Sequence, residues 1–413
     1  MKTQQKGINI ERLKSRIVQM ASIGQTDNGG ITRLALSKED KVARELLIQW
    51  MQDIGLQTRY DDIGNIYGRL EGSDKKKPAV LTGSHIDTVP KGGKFDGTLG
   101  LLAALEVIES IIEQNIVPTH PLEIVAFTNE EGARFTPQML GSGVIANEFS
   151  KEFVYERKDL NGYLFKNELQ EIGFLGLESN RAKNIKAFLE FHIEQGPILE
   201  AENIPVGIVD GVSGFSWMEV IINGQSNHSG TTPMHMREDS LVTAATIVKE
   251  IHEYAKGKND GTVLTVGRIQ AIPGIINAVP GQTIFSIDVR HAELEKLESI
   301  IDEIKTIVKK RVAEANLSYI IEDIWLKHPV KFSSTLVHTL EKICETHEIP
   351  YKHIVSGAGH DAMYMNNITD TAMIFVPSIA GKSHCKEEDT SWKDIEKGVT
   401  VLYDALCHLS VNP

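Results

Sequence analysis

Four short stretches carry the side chains that could do chemistry. GSHIDTVPKGGKFDG places His85, Asp87 and Asp96 among glycines. FTNEEG holds the adjacent Glu130 and Glu131, EFHIEQG holds His192, and VPSIAGKSH ends on His384. Each sits at the end of an apolar, strand-like run. Three imidazoles and two or more carboxylates make a mixed nitrogen and oxygen donor set that suits Zn, Mn, Co or Ni. Five ligands exceed what one tetrahedral ion takes, but they suffice for two ions that share one carboxylate, as in two-metal hydrolases.

Taken singly, each piece also has a plainer reading. A histidine after a strand is commonly a core or polar residue, the glycines around Asp96 fit a simple loop, and paired glutamates cost little in a solvated turn. In the pattern HxD the two side chains face the same side of an extended chain. Asp87 is therefore expected to fix the tautomer of the His85 ring without itself being a ligand. Glu130 and Glu131 repel one another unless positive charge lies close by.

The elements that must position these groups read as an α/β chain. ERLKSRIVQMASIG and EDKVARELLIQWMQDIG have helical spacing, and the second stops at a glycine. AVLTG, LEIVAF and KAFLEFHI read as strands. GLLAALEVIESIIEQN, between the first two, is apolar nearly all round and so predicts a well-buried helix. A strand–helix–strand order implies parallel strands, and ligands of open α/β sheets gather at the strands' C-terminal edge. After Pro205 the order becomes strand, helix, strand, strand, helix, strand, the split βαβ pattern. The expected organisation is a catalytic domain of residues 1–209 and 330–413 and an inserted α+β, ferredoxin-like domain of residues 210–329. TVLTVGRIQAI is expected to be one strand of the insertion.

Composition limits the alternatives. A net charge of −13 over 413 residues argues against a nucleic-acid partner. No run is long enough to span a bilayer, and MKTQQKGINIERLKSRI lacks the apolar core of a secretory signal. The cysteines are Cys344, Cys385 and Cys407, an odd number that offers no disulfide framework and fits a reducing, cytoplasmic setting. Cys385, beside His384, reads as a small residue and not as a catalytic thiol.

GSHIDTV, GGKFDG, FTNEEGARF, EFHIEQG and the late SH resemble the M20 family of di-metal amidohydrolases and peptidases, along nearly the whole chain. HIEQGP, SNHSGTTPM, GAGHDA and VPSIAGKSH are similar to its ureido-cleaving branch, which includes allantoate amidohydrolases, N-carbamoyl-L-amino acid hydrolases and β-ureidopropionases. The resemblance implies a mostly parallel catalytic sheet flanked by helices, and an inserted domain that serves as lid and dimer interface. It implies two divalent ions per subunit, one held by His85 and His192, the other by Glu131 and His384, with Asp96 bridging. Glu130 would be the general base. His228, reaching in from the second copy of a homodimer, would stabilise the oxyanion. Gln195, Asn277, Arg290 and Gly359 would bind a small ureido carboxylate, and His360 and Asp361 would support their loop. Hinges are expected near Ile208–Gly211 and Trp325–Pro329.

The wording of the motifs, and the polar His291 beside Arg290, point to allantoate ahead of N-carbamoyl amino acids, and so to purine breakdown. A metallopeptidase of the wider family and a non-catalytic binding protein are the alternatives. The complete ligand set argues against the second.

Overall fold

The computed structural model describes residues 7–411; the opening MKTQQK, part of the stretch read above for a signal, and residues 412–413 lie outside it. The chain divides into two compact units, Met1–Asp210 with Phe332–Pro413, and Gly211–Lys331. The strands up to the first crossing are β1 (Gln57–Tyr60), β2 (Ile66–Leu70), β3 (Ala79–His85), β4 (Leu122–Phe127), β5 (Ile185–Ile193) and β6 (Val206–Val212). The insertion contributes β7 (Gly214–Asn223), β8 (Asn227–His228), β9 (Val263–Thr265), β10 (Ile269–Ile272), β11 (Ala278–Val279), β12 (Gln282–His291), β13 (Ser318–Lys327) and β14 (Val330–Lys331). β15 (Tyr351–Ser356) and β16 (Asp370–Val376) follow the return.

The large sheet has the order β1-β2-β4-β3-β5-β16-β6-β14, with β15 also paired to β6. Its centre, β4-β3-β5-β16, is parallel, whereas β1, β2, β6 and β14 are antiparallel margins. Every residue of β3 and of β4 is buried. That accounts for their continuous apolar runs, because a strand covered on both faces has no solvent side to mark. The crossover helix Thr98–Glu113 packs on β3 and β5 and against the helices Ile10–Ala21 and Trp392–Val411. It is enclosed on nearly every side, as its composition predicts. Its buried exception, Glu106, accepts from Arg12 Nε at 2.6 Å and from the Asn9 N–H at 2.8 Å.

The insertion is an antiparallel sheet, β10-β12-β7-β13, with β9 beside β12. Helices Ser240–Lys256 and Leu294–Glu314 close one face, where Ile247, Ile251, Leu297 and Ile304 meet Val220, Ile222, Phe285 and Ile287. The single strand expected over TVLTVGRIQAI is two strands, β9 and β10, interrupted around Gly267 and paired to different stretches of β12. No described helix is long and apolar enough to cross a membrane. All three cysteines are free.

The crossover helix should set the stability of the first unit. Leu102 is fully buried in it, so Leu102→Ala should lower the unfolding free energy by about 2–5 kcal/mol in urea titration.

Candidate metal centre

The four parallel strands deliver five groups to the same sheet edge. His85 is the last residue of β3, His192 the penultimate residue of β5, Glu130 and Glu131 follow β4, and His384 lies on the loop after β16. Asp96 is supplied by the loop between β3 and the crossover helix. All six residues belong to the first unit.

Asp96 stands at the centre. Its Oδ1 lies 3.1 Å from His192 Nε2 and 3.7 Å from His85 Nε2. Its Oδ2 lies 3.1 Å from His384 Nε2, whose other acidic neighbour is Glu131 Oε2 at 3.4 Å. Two ligand triads result, His85–Asp96–His192 and Asp96–Glu131–His384, each with its donor atoms within 4.8 Å of one another. One carboxylate thus turns one oxygen to each triad. A third group, Glu190–His192–His360, also meets that distance, but Glu190 is already occupied by the Ser84 hydroxyl at 2.7 Å and the Ala362 N–H at 3.0 Å.

The rings are oriented from behind. His85 Nδ1 is 3.0 Å from the Asp87 carbonyl and His192 Nδ1 is 2.9 Å from the Ile193 carbonyl. A backbone carbonyl only accepts, so each Nδ1 carries a proton, and Nε2 is the atom that would give its lone pair to a metal ion. The HxD pattern predicts that the Asp87 carboxylate fixes the His85 ring, and its carbonyl does so instead. That carboxylate stays 3.9 Å from Nδ1 and instead accepts the N–H groups of Glu130 and Glu131 at 3.2 and 3.3 Å. The main chain bends the side chain away from its own ring and toward the glutamate turn. Gly97, at φ +60°, is required where it is: a Cβ there would stand 2.3 Å from His85 Nε2.

Burial sets the electrostatics. It opposes charge on His85, but the negative charge of Glu130 and the nearby Asp96 carboxylate outweigh it and raise the ring's pKa well above its usual value. Asp96 is likewise opposed by burial, yet its bonds to His192, His384 and His85 hold it well below the carboxylate range. Burial and the charge of Asp96 push Glu131 up to about 8. Burial also drives Glu130 well above its usual value, against the pull of His85, whose Nε2 is 3.5 Å from Glu130 Oε2. Glu131 Oε1 is buried with no hydrogen-bond partner among the described residues. A buried lone pair without a donor, inside a nitrogen and oxygen set crowded with acids, fits a divalent cation.

The remaining residues singled out above divide between the units. Gln195, at φ +58°, donates from Nε2 to Asp96 Oδ2 at 3.0 Å and lies 3.3 Å from His384 Nε2. It is therefore at the second triad. Gly359 precedes His360, whose buried ring meets His192 edge-on at 4.6 Å. Asp361 accepts from Ser142 Oγ at 2.5 Å. His228, Asn277 and Arg290 lie in the second unit. Asn277 is brought beside His228 by the β8–β11 pairing, in which its neighbour Ala278 faces His228. Arg290 is gripped by Asp288, with Nη2 to Oδ2 at 2.8 Å, and lies over the Phe215 ring at 5.6 Å.

Sequence reasoning missed two buried residues of this centre. Arg33 donates to the Ile86 carbonyl, at 2.6 Å, and to Thr98 Oγ1, at 3.2 Å, and so ties the His85 loop to the Asp96 loop. Glu388 accepts the Asp96 N–H at 3.1 Å. Neither stands in a chemical motif of its own. The only trace of Glu388 is its position four residues after His384.

Three comparisons bear on this arrangement. The model of peptidase family M20/M25/M40 matches residues 81–408. An N-carbamoyl-L-amino-acid amidohydrolase of Pseudomonas sp. (strain NS671) is 41% identical over 407 residues, covering 97% of this chain and 98% of that one. An allantoate amidohydrolase of Escherichia coli (strain K12) is 36% identical, covering 95% and 96%. The crystal structure of a hydantoinase/carbamoylase-family amidase from Burkholderia multivorans is similar with a TM-score of 0.94 at 38% identity, covering 98% of this chain and 99% of that one.

The titration of the second triad gives a test of cation binding. Its bond to Asp96, against burial, raises His384 to about 9, and Glu131 stands at about 8. Metal ligands must be deprotonated, so each proton held above neutral pH has to leave when an ion enters. Affinity should therefore rise with pH and level off above about 9, with proton release at neutral pH. Calorimetry in buffers of different ionisation heat measures both, and an affinity flat across this range would contradict the assignment.

Proposed function

The chain belongs to peptidase family M20/M25/M40, and from that premise we propose that this metal-dependent amidohydrolase cleaves the ureido C–N bond of N-carbamoyl-L-amino acids. The observation that carries the reading is Asp96, with one oxygen in each ligand triad and Glu130 beside them. Divalent ions in the two triads, of Zn, Mn, Co or Ni, would polarise the ureido carbonyl and acidify water. That assistance matters because two nitrogens donate into a ureido carbon and make it a poor electrophile.

The chain's own residues divide the remaining work. Glu130 belongs to neither triad, so its carboxylate is free to take the proton of the attacking water and pass it to the leaving nitrogen. The C–N bond to the amino acid breaks, and the carbamate left behind yields carbon dioxide and ammonia. Arg290 carries a guanidinium of the kind that pairs with a substrate carboxylate, with its Nε and Nη2 engaged by Asp288 in this structure. His228 Nδ1 accepts the N–H groups of Gly230 and Thr231 at 3.0 and 3.3 Å. Its proton therefore sits on Nε2, ready to donate to a developing oxyanion. In this reading His228 serves a second copy of the chain in a homodimer.

The preference for N-carbamoyl amino acids over allantoate replaces the expectation drawn from motif wording. The N-carbamoyl-L-amino-acid relative shares 41% identity against 36% for the allantoate one. The structure also removes the physical argument for allantoate. His291, the polar neighbour of Arg290, is 2% exposed, with Nε2 3.1 Å from the Asp260 carbonyl, and so does not offer its ring to a second ureido group of allantoate. Successive residues of a strand face opposite sides, and β12 sends Arg290 outward and His291 into the unit.

Ammonia release by Mn²⁺-loaded protein should be faster from N-carbamoyl-L-amino acids than from allantoate and should stop with a chelator. Faster release from allantoate would reverse the substrate assignment and leave the centre intact. Glu130→Gln should keep its metal and lose about 10²–10⁴-fold in turnover. Arg290→Lys should raise KM by about 10–100-fold with kcat little changed, since it loses a charge-assisted pair of hydrogen bonds.

A further inference from the structure

One buried carboxylate at this centre has no part in the chemistry described so far. Glu388 is 3% exposed and lies on the loop of His384. Its Oε1 accepts the backbone N–H groups of Phe95, at 2.9 Å, and Asp96, at 3.1 Å. Its Oε2 accepts from Ser383 Oγ at 2.9 Å, and that hydroxyl is also 3.2 Å from Asp96 Oδ2. The single side chain therefore grips the main chain of the shared ligand and, through Ser383, the residue next to His384.

We infer that Glu388 is a positioning residue for the second triad: it joins the Asp96 loop to the His384 loop and so sets the spacing of the Asp96–Glu131–His384 site. The two triads differ in what else holds them. The histidines of the first stand on the adjacent parallel strands β3 and β5, with Nδ1 fixed by backbone carbonyls. The second depends on a ligand from a loop, and His384 adopts φ +55°, a backbone conformation that a non-glycine residue keeps only when its surroundings impose it. The loop's turn, closed by the Glu388 N–H on the Cys385 carbonyl at 3.1 Å, brings the carboxylate back toward Asp96.

The facing loop is built to receive it. Gly93, in the GGKFDG motif, lies where a Cβ would stand 2.0 Å from Glu388 Oε1 and 2.1 Å from its Cδ. Any side chain at 93 would evict the carboxylate. The glycine is thus explained by a residue almost three hundred positions away, and the two positions make two independent handles on one contact.

The inference rests on the two-ion reading of the centre and on nothing about the substrate, so it is tested by metal binding alone. Metal-free protein is titrated with Co²⁺, following heat, visible spectrum and bound cobalt after dialysis. Glu388→Ala should retain one ion at wild-type affinity and lose about 10–100-fold at the other, with the second-site spectrum diminished. Gly93→Ala should produce the same selective loss from the opposite side of the contact. Glu388→Gln keeps an acceptor for both N–H groups and turns an amide N–H toward Ser383 Oγ, which can accept it, so its loss should be smaller. Thermal melting of each metal-free variant separates a displaced ligand from a damaged fold. Two ions bound as in the wild type would overturn the inference, and so would equal weakening of both in a Gln variant whose metal-free melt is unchanged. Failure to hydrolyse any ureido compound would leave this result untouched.

Discussion

Asp96 is a buried carboxylate that must face two cation sites at once, and the surrounding structure follows from that demand. An anion out of water is costly unless opposite charge and hydrogen bonds surround it. Three histidines meet its two oxygens, and Glu388 accepts its backbone N–H. To bring them together, the sheet must end three parallel strands at one edge, and the loop of Asp96 must pass close under the His85 ring. Gly97 makes that passage possible. The crossover helix starts immediately afterwards, at Thr98, where Arg33 ties its first turn back to the His85 loop.

The same demand gathers acids to a density that the protein alone does not balance. Glu130, Glu131, Asp87, Glu190, Asp361 and Glu388 are all pushed above their usual range, in each case chiefly by burial. The outer members are satisfied by donors of the chain: Asp87 by two backbone N–H groups, Glu190 by Ser84 and Ala362, Glu388 by Phe95, Asp96 and Ser383. Glu131 Oε1 and Asp361 Oδ2 are buried with no hydrogen-bond partner among the described residues. A buried carboxylate cluster with acceptor oxygens left over suits a cation, since the ion supplies the missing charge. Arg33 fits the same pattern from behind. Its guanidinium is spent on carbonyls and a hydroxyl, and burial lowers its pKa to about 10.

How much of this was legible before folding depends on the range of the interaction. The ligands were visible because each lies at or after the end of an apolar run, and a strand that ends in a polar cluster marks a sheet edge. The enclosed helix and the order of the inserted unit were visible because periodicity is local. The short marginal strands β1 and β2, of four and five residues, were missed. So were the helices Leu140–Ile145, Lys151–Tyr155 and Phe165–Glu171, each too short to develop a period. Glu388 and Arg33 were illegible for another reason. Most of their partners are backbone atoms distant in sequence, and a backbone atom leaves no mark on sequence. His291 misled because adjacency in sequence was taken for adjacency in space, whereas a strand separates neighbours onto opposite faces.

Asp87 shows how one residue can serve two elements. Its carbonyl fixes the His85 ring, while its carboxylate holds the N–H groups of the next two acids. The glutamates therefore leave a turn anchored at its main chain, entered through Asn129 at φ +59° and braced by the Asn129 amide on the Phe135 carbonyl. Adjacent side chains on such a turn diverge, and the two acids meet different histidines, Glu130 near His85 and Glu131 near His384. That divergence separates a carboxylate inside a triad from one left outside both. Two identical side chains in consecutive positions acquire different chemistry through the direction in which a shared anchor releases them. The anchor is the aspartate whose place in HxD suggested a different task.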